Sequence, residues 1–173
     1  MQIYVPVTLV MLQQLVADGA LLPVNGTAFA VTPRLREAYA EGDDDELGEV
    51  ALREAALASL RLLAAADASE RPGATLPPRR AVLVADVKDA GDVTLRPDLD
   101  DAVVRIGAPL AIDDVVAAYV DNAAAEADVT AAIAVIDEAD LGDEDAELTV
   151  GDAQDHDLAW YATQELPFLL ELL

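Results

Sequence analysis

Hydrophobic and polar positions follow two different periods along the chain, which predicts helices interleaved with short strands. A helical period predicts helices over residues 9–18, 33–40, 43–66, 126–138 and 163–173. Short apolar runs predict strands over residues 2–7, 27–31, 80–87, 101–108, 115–121, 146–150 and 157–162. The last two are expected to form a hairpin across a polar connection. The run 115–121 also fits one face of a helix, so its assignment stays open.

Residues typical of helix ends support several of these boundaries. Thr8 is expected to cap the first helix and Gly19 to end it. Thr32 followed by Pro33 has the form of a second helix start. The acidic residues 43–45 stand where the longest helix begins, and negative charge there is stabilised by the helix dipole.

These elements predict an α+β fold with a mixed sheet and helices packed mainly on one face. The continuous apolar run over residues 80–87 predicts a central strand. We expect a single domain over residues 1–173, with halves at about 1–66 and 80–173 joined by a loop at 67–79. Each half ends on a strand, a threonine and a helix, which predicts two similar βαβ-like halves.

Acidic side chains dominate the charge of the chain. It has 34 Asp and Glu against 10 Lys and Arg, a net charge of -24. Nine scattered arginines and one lysine cannot form the basic stripe that nucleic-acid binding requires, and an anionic membrane surface is equally disfavoured. The charge leaves a basic protein partner, a cation, or only solvent for this surface.

Neither the N-terminus nor any apolar run predicts export or membrane insertion. No positive charge precedes the first apolar stretch, as it would in a signal peptide, and no apolar run approaches the roughly 20 residues of a span. Because the chain has no cysteine, it cannot use disulfides or thiolate ligands. We expect a soluble protein of the bacterial cytoplasm.

Catalytic motifs are largely missing. No glycine-rich phosphate loop occurs, and neither Ser59 nor Ser69 lies in a nucleophile elbow. His156 is the single histidine, and its acidic neighbours are more typical of a polar turn than of a relay. Lys88 lies in a polar, acidic loop, where its charge is stabilised, contrary to what Schiff-base chemistry needs.

Aspartates after the central strand form the candidate metal site. Asp86, Asp89 and Asp92 cluster where this strand ends, and carboxylate oxygens are the ligands of Mg²⁺ and Ca²⁺. The acidic run over residues 137–147 is a second candidate, although it does not fit the calcium-loop template. Both clusters also fit a simpler interpretation as solvated surface, and no other cofactor is expected.

The C-terminal part carries the main aromatic and apolar cluster. Trp160 and Tyr161 stand close in sequence to Pro167 and Phe168. Core packing is the preferred interpretation, and an exposed partner site is the alternative. The leucine-rich helix that ends the chain is expected to dock on the protein itself or on a second copy, which would give a homodimer.

Four stretches carry a resemblance to a known group of proteins. They read IYVPVTL at residues 3–9, TAFAVTPRLREAYAEGDDDELGEVAL at 27–52, ADLGDED at 139–145 and LAWYATQELPFLL at 158–170. Together they resemble a family of uncharacterised proteins of unknown function from high-GC Gram-positive bacteria. The resemblance spans most of the chain and implies no activity, cofactor or catalytic residue.

Three functions therefore remain open. The first is a non-catalytic acidic interaction protein that meets a basic partner. The second is an enzyme or sensor that depends on a divalent metal held by aspartates. The third is a binder of a small molecule between the sheet and its helices.

Overall fold

A computed structural model describes residues 1–39, 41–67 and 76–173. The described residues form the strands β1 Gln2–Val7, β2 Ala20–Leu21, β3 Thr27–Phe29, β4 Ala81–Asp86, β5 Val93–Leu95, β6 Val103–Ile106, β7 Leu110–Ala111, β8 Val115–Val120 and β9 Ala159–Ala162. The helices are α1 Leu9–Asp18, α2 Pro33–Ala38, α3 Asp44–Asp67, α4 Glu126–Asp140, α5 Glu144–Gln154 and α6 Leu166–Glu171. Most of the predicted elements are confirmed, including the strand at 115–121.

One main sheet organises the fold, and the predicted α+β class is confirmed. Its order is β5-β6-β3-β1-β4-β8-β9, and β2 pairs separately with β7. The prediction of a mixed sheet is wrong, because every described pairing is antiparallel. The apolar run of β4 is central, as predicted, with β1 on one side and β8 on the other. It is apolar throughout because helices cover both of its faces, whatever the strand direction.

Helices cover both faces of the sheet, which corrects the expectation that they lie mainly on one. On the first face, α1 and α6 contribute Leu12, Leu15 and Leu166 to a core that also contains Ile3, Val5 and Leu83. On the second face, α2 and α3 pack Leu35, Leu47 and Ala51 against Phe29 and Val82. A third cluster joins α3 to α4 and α5 through Leu60, Val129 and Val150. The face opposite α1 is therefore covered by two layers of helix.

The two predicted halves share an order of elements, but they are not βαβ units. β1, α1, β3 and α2 correspond to β8, α4, β9 and α6, and in each set the two strands are antiparallel neighbours. A βαβ unit would require parallel strands. β1 and β8 flank β4, while α1 and α4 belong to cores on opposite sides of the sheet. A twofold rotation along β4 would produce this arrangement.

The two halves contribute strands to the same sheet, since β1 and β3 pair with β4 and β6. The single-domain prediction itself stays a prediction. Of the predicted loop at 67–79, residues 68–75 lie outside the described part of the chain, and residues 76–79 are without helix or strand.

The predicted hairpin between 146–150 and 157–162 is wrong. Residues 144–154 form α5, whose first turn is capped when the Asp143 carboxylate accepts a hydrogen bond from the backbone N–H of Ala146 at 2.9 Å. Ala146, Val150 and Ala153 then form the buried stripe of this helix. The run was short enough to fit either period. β9 pairs with β8 instead.

A buried ion pair joins the sheet to the second helical layer. Arg80 precedes β4 and Asp121 follows β8, and their side chains are 1% and 0% exposed. Arg80 donates from Nε and Nη2 to the two carboxylate oxygens at 2.8 and 2.7 Å. The guanidinium also donates to the side-chain oxygen of Gln154 and the backbone carbonyl of His156, both at 2.8 Å, and the Arg80 backbone N–H donates to Asp121 at 2.8 Å. The pair therefore fixes the end of α5 against the sheet.

Ser59 makes a second polar connection at the same end of the sheet. Its hydroxyl donates to the carbonyl of Val7 at 2.7 Å and accepts from the N–H of Ala81 at 3.0 Å. Both backbone groups lie at strand ends, and Val7 faces Ala81 in the register of β1 and β4. A side chain of α3 thus completes the hydrogen bonding between β1 and β4.

We predict that Arg80→Met lowers the free energy of unfolding by about 3–5 kcal/mol, because it leaves the Asp121 carboxylate buried without its partner. Arg34→Ala is the matched control, since the pair of Arg34 with Asp101 is exposed and a loss below about 1 kcal/mol is expected there. Urea unfolding followed by circular dichroism measures both. Equal losses in the two variants would contradict the prediction.

Candidate functional site

The predicted metal ligands lie around the end of β4. The carboxylate of Asp86 is exposed and lies 3.4 Å from the N-terminal ammonium group of Met1. Asp89 accepts a hydrogen bond from the N–H of Gly91 at 2.9 Å, and Asp92 immediately precedes β5. Within residues 1–39, 41–67 and 76–173, no group of three or more histidine or carboxylate side chains is arranged to hold a metal ion. Magnesium or calcium binding by these aspartates stays a prediction.

The second acidic run, 137–147, covers the end of α4, the turn that follows it and the start of α5. Asp140 pairs with Arg61 of α3 through hydrogen bonds of 2.9 and 3.1 Å, and the Arg61 hydrogen bond lowers the pKa of Asp140. Asp143 caps α5. Asp140 therefore joins α4 to α3, and Asp143 stabilises the start of α5.

His156 also has a structural partner. Its Nε2 atom lies 2.7 Å from a carboxylate oxygen of Asp128, and its backbone carbonyl accepts from Arg80. Ser59 is fully buried, and its hydroxyl is hydrogen-bonded to backbone groups of Val7 and Ala81. Lys88 is exposed. Among the described residues, these side chains do not form a catalytic relay, and Ser69 lies outside that part of the chain.

The aromatic residues near the C-terminus divide between core and surface. Tyr161 packs against the core of the first face, as the sequence favoured, whereas Trp160 is 57% exposed. Leu166 and Leu169 of α6 are buried, and contacts between α6 and α1 hold that helix on the protein. Phe168 is exposed. A homodimer through α6 stays a prediction.

A groove of about 580 Å³ lies on the second face of the sheet, where the N-terminal half of α3 crosses it. We call it the tyrosine groove. It is lined by Met1, Gln2, Tyr4, Val31, Arg36, Asp44, Asp45, Gly48, Glu49, Leu52 and Tyr119. A separate hollow of about 220 Å³ lies near the start of α2.

Two tyrosines from different strands lie in the tyrosine groove. Tyr4 belongs to β1 and Tyr119 to β8, with β4 between them. The Tyr4 hydroxyl reaches α3 at Gly48, where a β-carbon would come within 2.9 Å of it. Glycine at this helical position therefore makes room for the Tyr4 ring. Trp160 stands directly opposite Tyr119 in the register of β8 and β9, which extends the aromatic surface toward the sheet edge.

Carboxylates of α3 form the polar wall of the tyrosine groove. Arg36 forms an ion pair with Asp44. Asp45 and Glu49 are exposed and form no ion pair with any residue that the structure describes. Burial raises the pKa of Tyr4, and the neighbouring Tyr119 and Asp45 raise it further. The groove therefore combines aromatic rings with uncompensated negative charge.

The sequence did not single out this groove, although two signals for it exist. Gly48 interrupts the helical pattern of α3, and an isolated helical glycine often marks a close approach of another group. Tyr4 alternates with the buried Ile3 and Val5 of β1, which places it on the opposite face. Neither signal identifies Tyr119. This residue lies near Tyr4 only because of the register in which β1, β4 and β8 pair.

The comparisons with known proteins agree with the resemblance seen in the sequence. The model of a family of unknown function, DUF6912, matches residues 1–170. No curated protein and no solved structure matches the chain. The predicted likeness to an uncharacterised family is confirmed at that level. Among the described helices, none is both long and apolar enough to cross a membrane.

We predict that Tyr4→Phe removes, from an alkaline absorbance titration, a tyrosine whose pKa is raised above its ordinary value. Burial and Asp45 disfavour the phenolate, so the pKa of Tyr4 lies above its ordinary value near 10. The stability that depends on the neutral phenol is present below that value and is lost as pH rises through the raised pKa. Tyr39→Phe, which removes an exposed phenol, is the control, and identical titration curves for the two variants would contradict the prediction.

Proposed function

The chain belongs to this family of unknown function, and from that premise we propose that it is a non-catalytic interaction protein of the bacterial cytoplasm whose acidic surface binds a basic protein partner. A range among high-GC Gram-positive bacteria is part of the same proposal. The support comes from how the protein distributes its few positive charges.

Intramolecular contacts engage all eight arginines of the described part of the chain. Arg34, Arg36, Arg61, Arg79, Arg80 and Arg96 form ion pairs with carboxylates. Arg53 and Arg105 donate to the backbone carbonyls of Gln154 and Asn25. These arginine side chains therefore bind groups of the protein itself. This is the observation on which the proposal rests.

The consequence is a surface on which negative charge is in excess. With 34 acidic residues and 10 basic ones in the chain, most carboxylates have no basic residue to pair with. A surface of one sign attracts oppositely charged partners over several ångströms and raises their rate of association. It repels polyanions, which is why the proposal does not include nucleic acid.

The proposal does not include nucleophilic catalysis by Ser59 and His156, because both side chains already have other hydrogen-bond partners. The Ser59 hydroxyl both donates and accepts a backbone hydrogen bond. His156 lies 2.7 Å from Asp128, which is partly exposed and distant in sequence from either serine. A nucleophile needs a base within hydrogen-bonding reach, and the described contacts of Ser59 do not include one.

We expect poly-L-lysine to bind the protein with an affinity that falls steeply as salt is raised, because screening weakens exposed charge pairs. Isothermal titration calorimetry at low and high ionic strength measures this. Poly-L-glutamate and duplex DNA serve as polyanion controls and are expected not to bind. If the affinity for poly-L-lysine does not change with ionic strength, or if either polyanion control binds tightly, the electrostatic proposal is wrong.

A further inference from the structure

We propose that the tyrosine groove is the specific binding site for an arginine side chain of the basic partner. This deepens the proposed function and rests on it. The general negative charge of the surface would attract many cations, whereas the groove would recognise one kind of side chain. Three features of the groove support the assignment: its aromatic rings, its unpaired carboxylates and its size.

The first feature is the pair of aromatic rings. Tyr4 and Tyr119 line the groove on either side of β4, and Leu52 of α3 lines it as well. A guanidinium group stacks on aromatic rings and is more weakly hydrated than an ammonium group. It therefore loses less hydration free energy than lysine on entering a partly desolvated groove. The raised pKa of Tyr4 agrees with an environment of this kind.

The second feature is the unpaired charge on α3. Asp45 and Glu49 stand four residues apart on the helix, so they lie on neighbouring turns of one face, and both line the groove. Arg36, the arginine of the lining, is occupied by Asp44. A planar guanidinium has enough donors, in a fixed geometry, to bind two carboxylates at once. The ammonium group of lysine is a compact charge without that fixed geometry, so it binds two carboxylates less specifically.

The third feature is the size and openness of the site. A volume of about 580 Å³ falls within the range of roughly 300–1,000 Å³ of ligand pockets. The exposed Trp160 opposite Tyr119 extends the aromatic surface toward the edge strand β9. Trp160 does not itself line the groove, so only an occupant that extends beyond the groove, such as a peptide, would contact this ring. We therefore assign a peptide segment, rather than a free small cation, as the occupant.

Trp160 provides the measurement, because it is the one tryptophan of the chain and lies beside the site. A peptide of alternating arginine and glycine, blocked at both ends, is titrated into the full-length protein while tryptophan fluorescence is recorded. The same peptide with lysine in place of arginine tests for guanidinium recognition. Spermidine tests whether a free polyamine is the occupant instead.

The decisive variant is the double substitution Asp45→Asn with Glu49→Gln. We expect it to weaken binding of the arginine peptide about tenfold, the loss of about 1.4 kcal/mol of interaction. The matched control is Asp137→Asn with Glu138→Gln, which removes the same two charges from exposed positions of α4. A change of less than about twofold is expected there, because exposed distant charges are screened.

Tyr119→Leu tests the aromatic contribution. We expect about tenfold weaker binding, at the upper end of what a partly desolvated cation–π contact supplies. Tyr119→Phe retains the ring and is expected to bind within about twofold of the unmodified protein. Circular dichroism checks that both variants fold. If Tyr119→Leu does not fold, the charge variants decide the question alone.

The outcomes separate this inference from the proposed function. Selective weakening by the groove variants supports the site. Equal weakening by groove and control variants overturns the site but leaves the electrostatic function standing, and failure of the unmodified protein to bind any basic peptide overturns both. Lysine peptide or spermidine binding as tightly as the arginine peptide overturns the arginine assignment.

Discussion

The buried ion pair between Arg80 and Asp121 is the constraint on which the arrangement of this protein depends. It stands where β4 begins and β8 ends, so it fixes the register of these two neighbouring strands. The same guanidinium binds Gln154 and the carbonyl of His156, which sets the path of the chain from α5 into β9. A charge removed from water is stable only when its partners are in place, so sheet and helices must assemble together.

That constraint also determines where the tyrosine groove forms. Tyr119 lies two residues before Asp121, and Trp160 enters β9 a few residues after His156. The register held by the ion pair places the Tyr119 ring on the face where α3 crosses and opposite Trp160. A polar contact inside the protein thus positions aromatic side chains on its surface. The arginines have a second effect. Because they form contacts within the protein, the unpaired surface carboxylates dominate its electrostatic field.

Sequence patterns predicted the elements best where local chemistry decided them. Thr8 caps α1 and Gly19 ends it with a left-handed backbone at φ 76°, as expected. Residues 146–150 were mistaken for a strand because a five-residue apolar alternation fits both periods, and the cap supplied by Asp143 carried the deciding information. The mixed sheet was wrong because strand direction depends on which strands become neighbours.

The sequence by itself determined the excess of acidic residues, the α+β class and the central strand, because each follows from composition or from the local pattern of apolar positions. Four of its stretches also carried the resemblance to an uncharacterised family. Only the tertiary structure decided that the sheet is antiparallel and covered on both faces, that Arg80 pairs with Asp121, and that Tyr4 and Tyr119 share a groove with Asp45 and Glu49. Those residues are separated by tens of positions in the sequence. A local hydrophobic pattern does not show which distant side chains the register of the strands brings together.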